Sequence, residues 1–138
     1  NKNYVNRFYH NSNNHFDHKI DFYLKHHIDE VHGEENIPKN SARGGWGYSD
    51  HALFNHVLDD LDKIKTPFFS FILTLTNHPP HLIPKDAPNN IIDKSYPLIP
   101  HQMVQYVDWA FGDFYKKIEK SLISELCSFF ELKKRTYL

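Results

Sequence analysis

The stretch Pro67–Pro84 reads PFFSFILTLTNHPPHLIP, and it decides the fold class. Its first half is a near-continuous apolar run from Phe68 to Leu75, rich in aromatic and β-branched residues and preceded by a proline. Such a run without strict alternation is typical of a strand covered on both faces, as in a parallel sheet under helices. A buried helix is the alternative, but the run is short and prolines bound the stretch. We therefore predict an α/β fold with a central, mostly parallel sheet flanked by helices, and Phe68–Leu75 as its most buried strand.

A histidine follows this predicted strand directly, in the sequence Thr76-Asn77-His78 before Pro79 and Pro80. Open α/β sheets bind ligands beyond the carboxyl ends of their strands, so His78 is placed to touch a ligand. A histidine that merely caps a turn is the alternative, and for a single histidine it is the preferred interpretation. The motifs elsewhere in the chain decide between the two.

Composition and length limit the number of domains and the classes of function that the chain can have. With 138 residues, 40% of them hydrophobic and 15% aromatic, the chain is one domain or a piece of one and has enough apolar residues for a core. A net charge of -1 gives no electrostatic case for nucleic acid or anionic lipid. No apolar run approaches the ~20 residues of a membrane-spanning helix.

The single cysteine, Cys127, excludes an internal disulfide. The eleven histidines show no sharp ligand spacing, and most of them, such as His26, His27 and His32, lie in polar surroundings, so we interpret the excess as surface composition.

Periodicity and turn residues divide the chain into alternating elements. The predicted order is a strand at 3–10, a helix at 16–28, a long loop at 29–47, a helix from 49 or 50 to 65, the strand at 68–75, a loop to 100 and a helix at 101–120. The pattern from Ser121 to Leu138 suits either a helix or a strand.

The two longer helices are amphipathic. The predicted buried residues are Leu53, Phe54, Val57, Leu58, Leu61 and Ile64 in the first, and Val104, Val107, Phe111, Phe114 and Ile118 in the second, with Tyr106, Ala110 and Tyr115 beside them. The acidic run Asp59, Asp60 and Asp62 is predicted to face water. Trp46 stands among glycines, where it either packs on a core edge or lines a binding cleft.

Four segments taken together resemble a known family. They are FYHNSNNHFDHKIDFY, GWGYSDHALF, PFFSFILTLTNHPPHLIP and YVDWAFGDFY. In this order they are similar to the lipoteichoic-acid synthase and phosphoglycerol transferase group of the sulfatase, or alkaline-phosphatase-like, superfamily. The resemblance runs from about Tyr9 to Ile118 and leaves 121–138 as a divergent tail. It implies that residues 1–138 are part of a sulfatase-like domain at the extracytoplasmic face of the cell membrane. It also implies transfer of a phosphoglycerol headgroup through a threonine nucleophile beside a divalent metal, manganese or magnesium.

The resemblance assigns roles residue by residue. The residues that it implies for binding a phospholipid headgroup, or a phosphate or sulfate ester, are His10, Phe16, Asp17, Lys19, Trp46 and His78. It implies architectural roles for Asp50, Tyr106 and Asp108. Asn11 replaces a glycine of the family pattern, and His18-Lys19 replaces Asn-Arg. Lysine keeps the charge but loses the bidentate fork that arginine offers to phosphate.

The family's nucleophile and metal ligands have no match in this chain, so the resemblance implies no catalytic residue and no metal ligand here. We expect a fragment that contributes the headgroup-binding part of the site and lacks the remainder of the domain. The alternatives are a non-catalytic remnant or binding module of the same ancestry, a sulfuric-ester hydrolase, and an unrelated histidine-rich α/β domain that binds metal.

Overall fold

The computed structural model describes residues 4–121, and the predicted tail beyond Ser121 lies outside the described residues. The helices and strands, in chain order, are β1 (Val5–His10), a 3-10 turn (Phe16–His18), α1 (Lys19–Lys25), β2 (Glu30–His32), a second 3-10 turn (Glu34–Asn36), α2 (Asp50–Leu61), β3 (Phe68–Leu73) and α3 (Ile99–Lys120). The α/β class is confirmed, and so are the predicted positions of β1, α2, β3 and α3.

The described part of the sheet has three parallel strands in the order β2-β1-β3. Val5 to His10 of β1 pair in register with Phe68 to Leu73 of β3. Two helical segments connect β1 to β2 and β2 to β3 as crossovers, which parallel strands require.

The prediction that Phe68–Leu75 is the most buried strand is wrong for the described residues. β3 ends at Leu73 and lies at an edge, where Phe69 is 58% exposed and Phe71 is 43% exposed. The central strand is β1, in which Phe8, Tyr9 and His10 are completely buried. Apolar composition alone cannot tell a central strand from an edge strand, because that depends on which strands pair.

β1 is covered on both faces. On one face Phe8 stacks on Tyr23, a residue of α1, with the ring centroids 3.8 Å apart. On the other, Tyr9 joins a core cluster formed largely by α2 and α3. The members of that cluster are Tyr9, Ile37, Tyr48, Ala52, Leu53, Phe54, Val57, Leu61, Met103, Tyr106, Ala110, Phe114 and Ile118.

Three further predictions need correction. The segment 29–47 is not a plain loop, because it contains β2 and a 3-10 turn. Asp60 does not simply face water, because its carboxylate accepts hydrogen bonds from Arg7 and Tyr9. In α3, Val104 and Phe111 are more than half exposed, and the buried stripe contains Met103 and Tyr106 instead. Phe114 and Ile118 are buried as predicted, and so are Tyr106 and Ala110, which were predicted beside the stripe, so only part of the predicted face is wrong.

Candidate functional site

The carboxyl ends of β1 and β3 lie side by side, because the two strands are parallel and His10 pairs with Leu73. The segments that follow them, which carry Asn11 and His78, therefore leave the sheet at the same edge. Ligands of open α/β sheets bind at this position. The structure thus brings together two segments that are more than sixty residues apart in the chain.

A row of four side chains in contact runs along this edge. The Lys19 ammonium lies 4.6 Å from the ring centroid of Phe16, whose ring meets Trp46 edge-on at 5.5 Å. Trp46 in turn lies 4.4 Å from the His78 ring, centroid to centroid. We call Lys19, Phe16, Trp46 and His78 the Trp46 row. Phe16 is 50% exposed and Trp46 42% exposed, so part of each ring is accessible to a ligand.

A cavity of about 310 Å³ adjoins the Trp46 row. Its lining residues are Ser12, Asn13, Phe16, Glu34, Arg43, Gly44, Gly45, Trp46 and Gly47. Phe16 and Trp46 belong to both features, whereas His10, Lys19 and His78 are not among the lining residues.

Arg43 is the residue of this cavity that sequence reasoning missed. Its Nη2 donates to Glu34 Oε2 at 2.9 Å, and its guanidinium lies 4.5 Å from the Tyr48 ring centroid. Its side chain remains 55% exposed. The available signal was an arginine placed directly before the glycine cluster 44–47.

Two glycines let the segment 44–47 pass close to both neighbouring loops. A Cβ built on Gly47 would lie 1.9 Å from the Asn11 carbonyl oxygen, and one on Gly45 would lie 2.4 Å from the Pro80 carbonyl oxygen. Any larger residue would push the backbones apart at these two positions. The glycines thus hold Trp46 between the loop after β1 and the loop after β3.

His10 lies beneath the site and is fully buried. Its Nε2 lies 2.9 Å from Asn14 Oδ1, and its Nδ1 lies 3.0 Å from Ser12 Oγ. Because an amide oxygen only accepts, Nε2 carries the proton and Nδ1 accepts from the Ser12 hydroxyl. Burial lowers the pKa of His10 and the nearby Lys19 charge lowers it further, whereas the hydrogen bond that His10 donates to Asn14 acts to raise it. The imidazole is therefore neutral at pH 7.

His78 and Asp17 are both exposed. His78 Nδ1 donates to the Pro79 carbonyl at 2.7 Å, and its Nε2 has no hydrogen-bond partner within residues 4–121. Asp17 adopts left-handed backbone with φ of 58° in the turn before α1. Within the same described range its carboxylate forms no hydrogen bond or ion pair. The roles that the resemblance implies for the six residues remain predictions.

Asp50 connects the loops of the site to α2. Its Oδ1 accepts from Asn11 Nδ2 at 2.8 Å, from the Thr76 N–H at 3.0 Å and from the Thr76 hydroxyl at 2.6 Å. Burial raises the pKa of this carboxyl, although the hydrogen bonds from Thr76 and Asn11 act to lower it. Ser49 caps the helix by accepting from the Ala52 N–H at 3.1 Å. Asn11 thus takes part in the hydrogen bonds that hold the loops of the site together.

Among residues 4–121, no three His, Cys, Asp or Glu side chains are arranged to hold a metal ion. The described residues of the candidate site therefore do not fit the divalent metal that the resemblance implies. No helix in this same part of the chain is long and apolar enough to cross a membrane.

Comparisons with known proteins agree with the parallel sheet and the motifs at its edge. The family model named Sulfatase matches residues 1–125, so the chain belongs to the sulfatase family. It is 30% identical over 83 residues to lipoteichoic acid synthase 1 of Bacillus subtilis, a match that covers 54% of this chain. The chain thus matches 12% of the length of that relative.

Solved structures show the same fold. A protein of the alkaline phosphatase superfamily from Vibrio parahaemolyticus superposes with a TM-score of 0.71 and 28% identity, over 86% of this chain and 29% of that one. A second structure is a phosphoglycerol transferase of Streptococcus pyogenes in complex with sn-glycerol-1-phosphate. It superposes with a TM-score of 0.53 and 16% identity, and the match covers 86% of this chain and 34% of the transferase chain. The chain therefore spans about a third of the length of each of these two solved chains.

Proposed function

We propose that this chain contributes the headgroup-binding part of a phosphoglycerol-transferase-like site. The observation that carries the proposal is the Trp46 row, which places an ammonium group and an imidazole at opposite ends of two exposed aromatic rings. A phosphoglycerol group has the matching chemistry, an anion at one end and hydroxyl groups at the other. The glycerol phosphate in the Streptococcus pyogenes structure supports this choice of substrate class.

The positive charges suit the phosphate. Lys19 supplies a single ammonium, which neutralises charge but cannot form the paired hydrogen bonds of a guanidinium. Arg43 can supply such a fork in the adjoining cavity, once its hydrogen bond to Glu34 is exchanged for one to the ligand. The structure thus offers an arginine at a position different from the one that the family pattern predicts.

His78 suits a hydroxyl group. Its Nδ1 donates to the Pro79 carbonyl, so in the tautomer with its proton on Nδ1 the Nε2 atom is a hydrogen-bond acceptor. An acceptor binds the O–H of glycerol but not a phosphate oxygen that lacks a proton. His10 would reach a ligand only by giving up its hydrogen bond to Ser12 or Asn14, so its contribution is to position the loop after β1.

In this proposal the chain binds and orients the phosphoglycerol headgroup. The nucleophile and the metal ligands belong to the remainder of the domain, and the whole domain lies at the extracytoplasmic face of the membrane. A sulfate ester is the second candidate substrate, since it carries a similar tetrahedral anion and the family is that of the sulfatases.

Calorimetry on the 138-residue chain separates these candidates, with sn-glycerol-1-phosphate, inorganic phosphate and inorganic sulfate as probes. We expect Lys19→Gln to weaken binding of all three, because it removes the charge. His78→Ala should weaken only glycerol phosphate, by about fivefold, the equivalent of one hydrogen bond of about 1 kcal/mol. Lys25→Gln, an exposed lysine on the same helix, is the matched control. Equal binding by wild type, Lys19→Gln and His78→Ala would contradict the proposal.

A further inference from the structure

Away from the Trp46 row, the structure brings two histidines from distant parts of the chain together. His32 ends β2 and His56 lies in the middle of α2, yet His32 Nδ1 is 3.2 Å from His56 Nε2. We propose that these two imidazoles form a binding site for a divalent transition-metal ion, with Zn²⁺ as the best-fitting ion.

The distance between the two nitrogens suits a metal ion. Two imidazole nitrogens at the usual Zn–N distance and a tetrahedral angle are about 3.3 Å apart. The observed separation of 3.2 Å is close to this value, so chelation of Zn²⁺ would require little change in the distance between the two nitrogens. Water molecules complete the coordination, because the described residues provide no third ligand in position.

Glu30 orients one of the two rings. His32 Nε2 lies 3.1 Å from Glu30 Oε2, so Nε2 carries the proton and Nδ1 presents its lone pair towards His56. Metal-binding histidines are usually held in this way, with the second nitrogen donating to a carboxylate. The same orientation lets His32 Nδ1 accept a hydrogen bond from His56 Nε2, and a bound metal ion would replace that bond.

The surrounding charges also favour a cation. Asp60 Oδ2 lies 3.9 Å from His32 Nδ1, and Glu30 adds a second carboxylate. Arg7 supplies one opposing positive charge and pairs with both carboxylates. Asp60 Oδ2 accepts hydrogen bonds from Arg7 and Tyr9, so this oxygen contributes negative charge near the site.

Packing holds the two rings in place before a metal arrives. The His32 side chain is only 12% exposed, and its ring centroid lies 4.9 Å from that of the buried Tyr9. The His56 ring meets the same tyrosine at 6.2 Å. A bound ion would therefore join β2 to α2 across Tyr9 and stabilise the folded chain by mass action.

The test is titration of the metal-free 138-residue chain with Zn²⁺, followed by calorimetry and by thermal unfolding. The variants are His32→Gln, His56→Gln and Glu30→Gln. Because the chain has eleven histidines, exposed His15→Gln is the control for the loss of any one of them. Far-UV circular dichroism checks that each variant is folded.

We expect the wild type and His15→Gln to bind one Zn²⁺ that both His32→Gln and His56→Gln lose. Glu30→Gln should keep the site but weaken it by about tenfold or more. Zn²⁺ should raise the unfolding temperature of the wild type and not that of His56→Gln. The proposal is overturned if folded His56→Gln binds Zn²⁺ as the wild type does. Should His32→Gln fail to fold, His56→Gln and Glu30→Gln decide the question alone.

Discussion

The Thr76 hydroxyl donates a 2.6 Å hydrogen bond to Asp50 Oδ1 and accepts one of 2.9 Å from the Asp50 N–H. This reciprocal pair is buried and joins the first residue of α2 to the segment after β3. Asn11 bonds to the same carboxylate from the segment after β1. One side chain thus sets the relative position of both loops that carry the candidate site.

Asp50→Ala should therefore destabilise the chain by at least about 2 kcal/mol, because it leaves buried donors of Asn11 and Thr76 without a partner. Asp59→Ala is the matched control, since Asp59 is exposed on the same helix. Urea denaturation of both variants measures the difference in free energy of unfolding. A similar value for the two would show that the Asp50 hydrogen bonds contribute little.

The glycines of the chain differ in what surrounds them. Gly47→Ala should be destabilising, because its Cβ would meet the Asn11 carbonyl oxygen, which is backbone and cannot swing away. Gly112→Ala should stabilise by about 0.8–1 kcal/mol, because it lies inside α3 and its Cβ would enter open space. Thermal unfolding of the two variants should move the melting temperature in opposite directions. A stable Gly47→Ala would contradict the close approach of the two loops.

Two phenylalanines in adjacent strands are expected to differ in their contribution to stability. Phe8→Ala should cost about 3–5 kcal/mol, since Phe8 is completely buried between α1 and the sheet. Phe71→Ala should cost clearly less, because that ring is 43% exposed on an edge strand. Denaturant unfolding checks the order. A larger loss for Phe71 would mean that β3 is the more buried strand after all.

His51 makes the stability of the chain depend on pH. Its ring lies 3.5 Å from Asp86 and 3.1 Å from Asp113, and the Asp86 hydrogen bond is the main reason that its pKa is raised. Because the pKa of His51 is higher in the folded chain than in the unfolded chain, its protonation stabilises the fold. This stabilisation is fully present below the unfolded pKa of about 6.5 and is lost as the pH rises through the folded pKa.

We therefore expect the wild type to lose more stability between pH 5.5 and pH 8 than His51→Gln does. Urea unfolding at the two pH values measures this, with His15→Gln as the control for the loss of an exposed histidine. Parallel pH profiles for wild type and His51→Gln would contradict the expectation.

The isolated chain is expected to show no metal-dependent turnover of phosphoglycerol donors or sulfate esters. A site that only orients its ligand does not stabilise the transition state of the chemical step, which needs the nucleophile and the metal. Incubation with manganese and a chromogenic phosphodiester or sulfate ester checks this. Turnover that His78→Ala abolishes would mean that the catalytic centre lies within this chain.

Much of the local structure could be predicted from the sequence. The helical periodicity of α2 and the Ser49 cap are short-range signals, and both are present in the structure. The four motifs were also sufficient to predict the family, because their order along the chain is specific. The burial of Val104 and Phe111 in α3 was predicted wrongly, since these two residues are as apolar as those that the helix buries.

Tertiary structure alone decided the rest. It decided three features that depend on residues far apart in the chain. They are the central position of β1, the row from Lys19 through Trp46 to His78, and the contact of His32 with His56. Helix periodicity and capping act within a few residues, so the sequence by itself determined the elements and the fold class. Strand order and side-chain contacts depend on how those elements pack, and packing placed Arg43 beside the site and Asp60 beneath β1.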